Sequence, residues 1–408
     1  MYALSRLAPD VRQYLLITGN YWAFTLTDGA LRMLVVLHFH SLGYSPLAIA
    51  ALFLFYEIFG VVTNLLGGYL GARLGLNRTM NIGLGLQVAA LLMLTVPAVW
   101  LTIPWVMGAQ ALSGIAKDLN KMSAKSSIKL LVPSSQQGTL YKWVAILTGS
   151  KNALKGVGFF MGGALLALLG FSGAVLLMAA MLALIWLASL LLLKKDLGKA
   201  KAKPKFRDML SKSRAINLLS AARLFLFGAR DVWFVVALPV YLSSVLGWDV
   251  WQVGSFLAAW VIGYGIVQSF APAITGKASG QLPDGRAAFI WAALLAGLPA
   301  TIALGLHSDL SAQWVLLGGL MLFGVLFAVN SSLHSYLIVS YAKEDGVSLD
   351  VGFYYMSNAL GRLLGTLLSG WLYQAYGLEA CLWISSAFVL LAALISIGLP
   401  RHRPAQLL

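Results

Sequence analysis

Ionisable side chains stand inside long apolar stretches of this chain, and they recur at helical spacing. Tyr21, Thr25, Asp28 and Arg32 share one helix face, and Glu57 lies in the next stretch. Lys117, Asp118 and Lys121 follow, then Lys151 and Lys155 four residues apart. Arg223, Arg230 and Asp231 cluster later, and Asn358 shares a face with Arg362. These residue types do not make an enzyme: no nucleophile–base pair or metal-ligand set is present. The five His are scattered, and the single Cys381 excludes internal disulfides and cysteine-rich metal sites. What they offer is anion recognition, because Arg grips carboxylate or phosphate through two N–H groups and Lys acts as a point charge. Eight basic residues at depth (Arg32, Lys117, Lys121, Lys151, Lys155, Arg223, Arg230, Arg362) face four acidic ones (Asp28, Glu57, Asp118, Asp231). Internal pairing neutralises at most half of the cations, so the remainder calls for a ligand with several negative charges. Lys151 and Lys155 repel each other at this spacing and in low dielectric, so they need anions. Asp28 and Arg32 are placed to pair with each other, and a self-satisfied structural pair is the alternative there. Arg223 reads equally as an anchor that snorkels to the membrane edge. Lys125 and Lys129 read as interfacial.

The stretches that carry these groups fix the class of protein. The chain has 408 residues, 60% hydrophobic and 11% charged, with mean hydropathy +0.82. No soluble domain has that composition, so the expectation is an all-α integral membrane protein. A span needs about 20 helical residues, and twelve candidates are found: 14–39, 46–72, 79–101, 103–125, 140–169, 171–193, 215–246, 249–275, 287–306, 312–339, 351–376 and 378–399. Length forces the lysines into the spans. Ending the fourth span before Lys117, or starting the fifth after Lys155, leaves 14 residues each, about 21 Å at the helical rise, too short for a core of roughly 30 Å. A charge at that depth costs about 2.5–3.5 kcal/mol on insertion scales and needs a functional reason.

One connection is long. Lys194 to Arg214 holds nine basic and two acidic residues and cannot lie in lipid. It separates an N-terminal six-helix bundle (1–193) from a C-terminal one (215–408). With the N-terminus inside, the outer loops carry only Asp249, Asp309 and Glu379. Arg6, Arg12, Arg73, Arg78, Lys142, the connector (194–214), Lys277, Arg286, Lys343, Arg401 and Arg403 all fall inside. That is the positive-inside pattern and gives a multi-pass plasma-membrane protein with both termini cytoplasmic. Much of the formal net charge of +15 is then a topology signal. No soluble domain remains to bind nucleic acid, no cofactor is expected, and no cleaved leader is read at the start.

Two fragments carry a family resemblance. Gly67–Arg78, GGYLGARLGLNR, resembles the loop motif between spans two and three of major-facilitator transporters, with Gly68, Leu70, Arg73 and Gly75 matching and Ala72 at the usual Asp. Gly158–Gly163, GFFMGG, resembles the span-five antiporter motif, with Phe159 where proline is usual. Close helix packing is the alternative reading of the second fragment. The resemblance implies two pseudo-symmetric six-helix bundles, in which spans 1, 2, 4, 5, 7, 8, 10 and 11 surround a central cavity. The charge map agrees, since spans three, six and nine hold no charged residue.

The stretches Asn20–His40, Ser113–Pro133, Thr148–Phe160 and Phe227–Leu242 further resemble the organoarsenical efflux permeases of the ArsJ branch of that superfamily. The resemblance implies export of 1-arseno-3-phosphoglycerate, arsenate resistance, and a functional link to the glyceraldehyde-3-phosphate dehydrogenase that makes this cargo. Substrate binding is expected from Arg32, Lys117, Lys121, Lys151, Lys155, Arg230, Arg362, Tyr21 and Asn358. Asp28, Glu57, Asp118 and Asp231 are expected as counter-ions or proton carriers. A ligand with an oxyanion at each end would bridge the basic groups of the two halves. An organic-phosphate antiporter or a proton-coupled drug exporter on the same scaffold is the alternative, a sensor lacks any signalling domain, and a monomer is expected.

Overall fold

Two glycines show how the chain turns at the membrane surface. Gly170 (φ 68°) breaks the helix Gln137–Leu192 and Gly377 (φ 81°) breaks Val347–Ser396. Both angles lie in the left-handed region that a residue with a Cβ avoids. With these breaks, the computed structural model has twelve long helical segments among its described residues, which are 7–44, 52–194, 197–201, 204–210, 212–276, 282–308 and 310–401, the side chains of Leu54 and Val250 excepted. They are α1 Pro9–Ser41, α2 Leu54–Leu74, α3 Leu76–Met93, α4 Ile103–Leu131, α5 137–169, α6 171–192, α7 Arg214–Phe234, α8 Val250–Gly276, α9 Gly285–Gly305, α10 Ala312–Tyr341, α11 347–376 and α12 378–396. Arg6, Lys195, Asp196, Lys203, Lys277, Asp309, Arg403 and the start of the second expected span lie outside the described residues.

The segments follow the expected spans with two differences. The third stops at Met93 and is followed by Pro97 and a 3-10 turn, Ala98–Trp100. The seventh is interrupted at Val235–Val236 and resumes as a short helix, Ala237–Ser244. Pro239 is the cause: it has no N–H to give to Val235, four residues back. The freed Ala237 N–H donates to Ser369 Oγ instead (3.1 Å).

The chain forms two compact units. One comprises Met1–Trp143, Ser150–Ser211 and Ala342–Met356, the other Val144–Gly149, Lys212–Tyr341 and Ser357–Leu408. In the first unit, α1, α3 and α6 are tied by a buried polar relay: Asn20 Nδ2 donates to Ser189 Oγ (2.8 Å), which donates to Asn81 Oδ1 (2.6 Å). The connector is folded here too. Leu197 O accepts from Leu76 N (2.7 Å) and Ala200 N donates to Ala72 O (2.8 Å). Position 72, where the loop motif usually has Asp, is a fully buried alanine under the crossing connector. The second unit is built on aromatic packing: Trp233 meets Trp260 and Phe323 edge-on, and Trp260 Nε1 donates to Leu320 O (2.9 Å).

Candidate functional site

In the first unit, small residues bring the charged helices together. A Cβ on Gly29 of α1 would lie 2.7 Å from Lys155 O of α5, and one on Gly158 would lie 2.9 Å from Leu26 O. Helices cross at such points because bare backbone lets them approach. Gly158 and Gly162 of the Gly158–Gly163 fragment thus serve close packing against α1. The crossing sets Asp28 beside Lys155, with Nζ–Oδ2 3.7 Å. Asp28 Oδ1 accepts a hydrogen bond from Tyr56 of α2 (2.7 Å). The Tyr56 ring lies under Lys117 Nζ (3.7 Å to the centroid) and beside the Arg32 guanidinium (4.9 Å), positions that use the negative face of the ring.

Asp28 and Arg32 each have a partner outside the alternative Asp28–Arg32 pair. Asp28 takes its partners from α5 and α2, while Arg32 reaches Glu57 at 3.2 Å. Turning along one helix could not reveal this, because Asp28 is buried toward the neighbouring helices and Arg32 is part-exposed. Lys155 likewise has a carboxylate, so the paired lysines do not both depend on an outside anion. Lys151 Nζ donates to Asn152 Oδ1 (3.3 Å).

A second group lies on α4. Lys121 pairs with the buried Asp118 at 2.7 Å. Lys125 is a further correction: it is 3% exposed rather than interfacial. Its Nζ donates to Tyr355 Oη (2.6 Å), and the Tyr355 ring is approached by both Lys121 (4.9 Å) and Lys125 (4.8 Å). Tyr21 is buried in the same unit. Six cations (Arg32, Lys117, Lys121, Lys125, Lys151, Lys155) thus meet three carboxylates (Asp28, Glu57, Asp118). Asp28 and Asp118 are buried, whereas Lys117, Lys121, Lys151 and Lys155 are part-exposed.

The second unit repeats the design on α7 and α11. Gly361 packs against Leu224 O, and a Cβ on Gly365 would lie 2.7 Å from Gly228 O and 3.1 Å from Asp231 Cβ. Asp231, with no exposure at all, accepts from Arg230 Nε (2.6 Å) and Arg362 Nε (3.0 Å). Both arginines are part-exposed, at 15% and 30% of their side chains. Arg223 does not snorkel. It is 2% exposed and donates to Asn358 Oδ1 (2.8 Å) and to Ser331 Oγ (3.2 Å), which also accepts from Gln268 Nε2 (3.0 Å). Asn358 holds Arg223 in place.

Sequence reading passed over Tyr56, Tyr355 and the Gln268–Ser331 pair, and set Lys125 aside as interfacial. Tyr355 had a signal, for it precedes Asn358 and Arg362 by three and seven residues on one face. Tyr56 had none, because its role depends on which helix lies opposite.

The family model described as Major Facilitator Superfamily matches residues 15–283 and 224–407. Among solved structures, the human organic anion transporter MFSD10 (TETRAN) is 18% identical with TM-score 0.75, over 96% of this chain and all of that one. The E. coli fucose:proton symporter FucP is 13% identical with TM-score 0.73, over 96% and 99%. A bacterial homologue of the iron transporter ferroportin, in an outward-facing state, is 16% identical with TM-score 0.70, over 93% and 98%. No curated protein matches significantly. At these identities the structures speak for the fold.

Proposed function

We propose that this chain, which belongs to the Major Facilitator Superfamily and is therefore a multi-pass secondary transporter working by alternating access rather than an enzyme, exports a small organic anion with several negative charges. The observation that carries the reading is the layering of charge in each unit. Buried carboxylates sit behind part-exposed ammonium and guanidinium groups, and the cations outnumber them. A neutral sugar or an apolar drug gives no return for the cost of holding such groups at depth. An anion does, since Lys and Arg recognise oxyanions through charged N–H groups.

Within that class we assign 1-arseno-3-phosphoglycerate. This cargo carries a phosphate and an arsenate ester, and the sequence stretches that resemble organoarsenical permeases include the charged helices. Lys117, Lys121, Lys151, Lys155 and Arg32 are assigned to one oxyanion, and Arg230 with Arg362 to the other. The membrane is the bacterial plasma membrane, with both termini in the cytosol, and the result is arsenate resistance. An organic-phosphate antiporter would use the same cations and differ by requiring a counter-anion.

Everted membrane vesicles test this. Labelled arsenate should accumulate only when glyceraldehyde-3-phosphate, its dehydrogenase and NAD are supplied together. Lys151→Ala and Arg362→Ala should each cut accumulation tenfold or more, on the order of the 1.5–3 kcal/mol of a hydrogen bond to a charged group. Uptake of a hydrophobic drug that is insensitive to Lys151→Ala, with no anion uptake, would overturn the reading. Uptake that requires a counter-phosphate would move it to the antiporter.

A further inference from the structure

We infer that the turn at residues 204–210 of the connector is a foot that docks on anionic phospholipid headgroups. The connector is first fastened to the ends of α2 and α3. Besides the main-chain bonds to Ala72 and Leu76, Asn77 Nδ2 donates to Lys194 O (2.8 Å), and Lys201 N donates to Asp345 Oδ1 (2.9 Å). The chain then enters a 3-10 turn, Phe206–Met209, closed by Asp208 Oδ2 accepting from Lys205 N (2.7 Å). The turn has two sides. Met209 is buried against the protein, while Phe206 and Leu210 are 67% and 62% exposed. Two large apolar side chains four residues apart, facing outward from a segment this basic, are not accounted for by water.

Their place on α2 identifies the neighbour. Phe55, Phe59, Val62 and Leu66 form an exposed stripe along that helix. The stripe continues into Tyr69, whose Oη accepts from the exposed Arg73 (3.0 Å). A Tyr and an Arg at the end of an apolar stripe mark the depth where hydrocarbon gives way to headgroups. The Phe206 ring packs edge-on against Tyr69, 6.2 Å between centroids, and so extends the stripe. Around it Arg73, Lys199, Lys201, Lys205 and Arg207 are all exposed, and the nearby carboxylates Asp208 and Asp345 accept the main-chain N–H groups of Lys205 and Lys201. Apolar groups continuous with a lipid-facing stripe, ringed by cations, match a lipid with an anionic headgroup better than an acidic protein, which offers no hydrocarbon.

A bimane probe on Leu210→Cys in the full-length protein tests the inference; Cys381 is fully buried, and the labelled parent chain supplies the background. The protein is reconstituted in phosphatidylcholine vesicles containing an equal mole fraction of either brominated phosphatidylglycerol or brominated phosphatidylcholine. Both should quench the probe, the anionic lipid about fivefold more effectively for each basic residue engaged. Lys205→Gln together with Arg207→Gln should sharply lower that preference and leave quenching by the neutral lipid. Absence of quenching by either lipid, in Leu210→Cys and in Phe206→Cys alike, would place the turn in water or against another protein and end the proposal. Equal quenching by both lipids would remove its anionic specificity and overturn it as well.

Discussion

Asp231 receives two guanidinium groups on a carboxylate with no exposure to solvent. Asparagine has the same shape and no charge, so Asp231→Asn would take from Arg230 and Arg362 the carboxylate they share. Breaking a buried pair in this way costs about 3–5 kcal/mol, and the detergent-solubilised variant should unfold at clearly lower temperature. Adding Arg362→Gln should recover part of the loss, because one cation fewer then needs compensation. A melting curve indistinguishable from the parent would mean that the arginines are neutralised elsewhere. The presence of these groups was legible in the sequence, since each interrupts an apolar stretch. Their pairing was not. Helical spacing ranks residues around one helix, whereas Arg362 meets Asp231 across 131 positions and Lys155 meets Asp28 across a helix crossing. Lys125 was misjudged for a related reason. Distance along a helix from its cytosolic end says little about depth once a tyrosine from another helix closes over the ammonium group.

At the scale of elements, the crossings that bring each cluster together rest on glycine. Alanine is ordinarily better than glycine inside a helix by about 1 kcal/mol. At Gly158 that gain is outweighed, because the added methyl would lie 2.9 Å from Leu26 O, and overpacking costs roughly 1–3 kcal/mol. Gly158→Ala should therefore lower the melting temperature and impair transport, by pushing Lys155 away from Asp28. Gly370→Ala is the matched control: nothing lies within 4 Å of a Cβ there, so it should be neutral or stabilising. Destabilisation of equal size at both sites would show that the crossing is not the cause. The spans themselves were readable from hydropathy, since lipid demands long, internally bonded apolar helices. The two hairpin turns at Gly170 and Gly377 fell where the spans were divided. The four-residue spacing of small residues was visible, but not its partner helix, and so the fragment at Gly158–Gly163 stood open between a transport motif and a packing device. The fold of the connector was invisible too, because its anchoring bonds use main-chain atoms of residues 72 and 76 that no side-chain pattern reports.

For the whole molecule, charge would set the energetics of the proposed export. The expected spans hold nine of these cations, counting Lys125, and four carboxylates, so on the proposed function an anion would be held without bringing protons of its own. Carrying one charge through 100 mV is worth about 2.3 kcal/mol, and a cargo with about three negative charges gains roughly 7 kcal/mol on leaving a cell that is negative inside. Such a drive needs no proton gradient. In everted vesicles the membrane potential alone, set with potassium and valinomycin, should determine accumulation: a lumen made positive should raise it, and collapse of the pH gradient at constant potential should leave it unchanged. The opposite result, indifference to potential with dependence on the pH gradient, would assign proton traffic to the carboxylates. Asp28→Asn would then discriminate among them. Asp28 is held by Tyr56 and Lys155, and its loss as a carrier would abolish uphill transport while sparing downhill efflux. Its loss as a counter-ion would instead lower the melting temperature and slow transport in both directions, since Lys155 would lose this carboxylate beside the α1–α5 crossing.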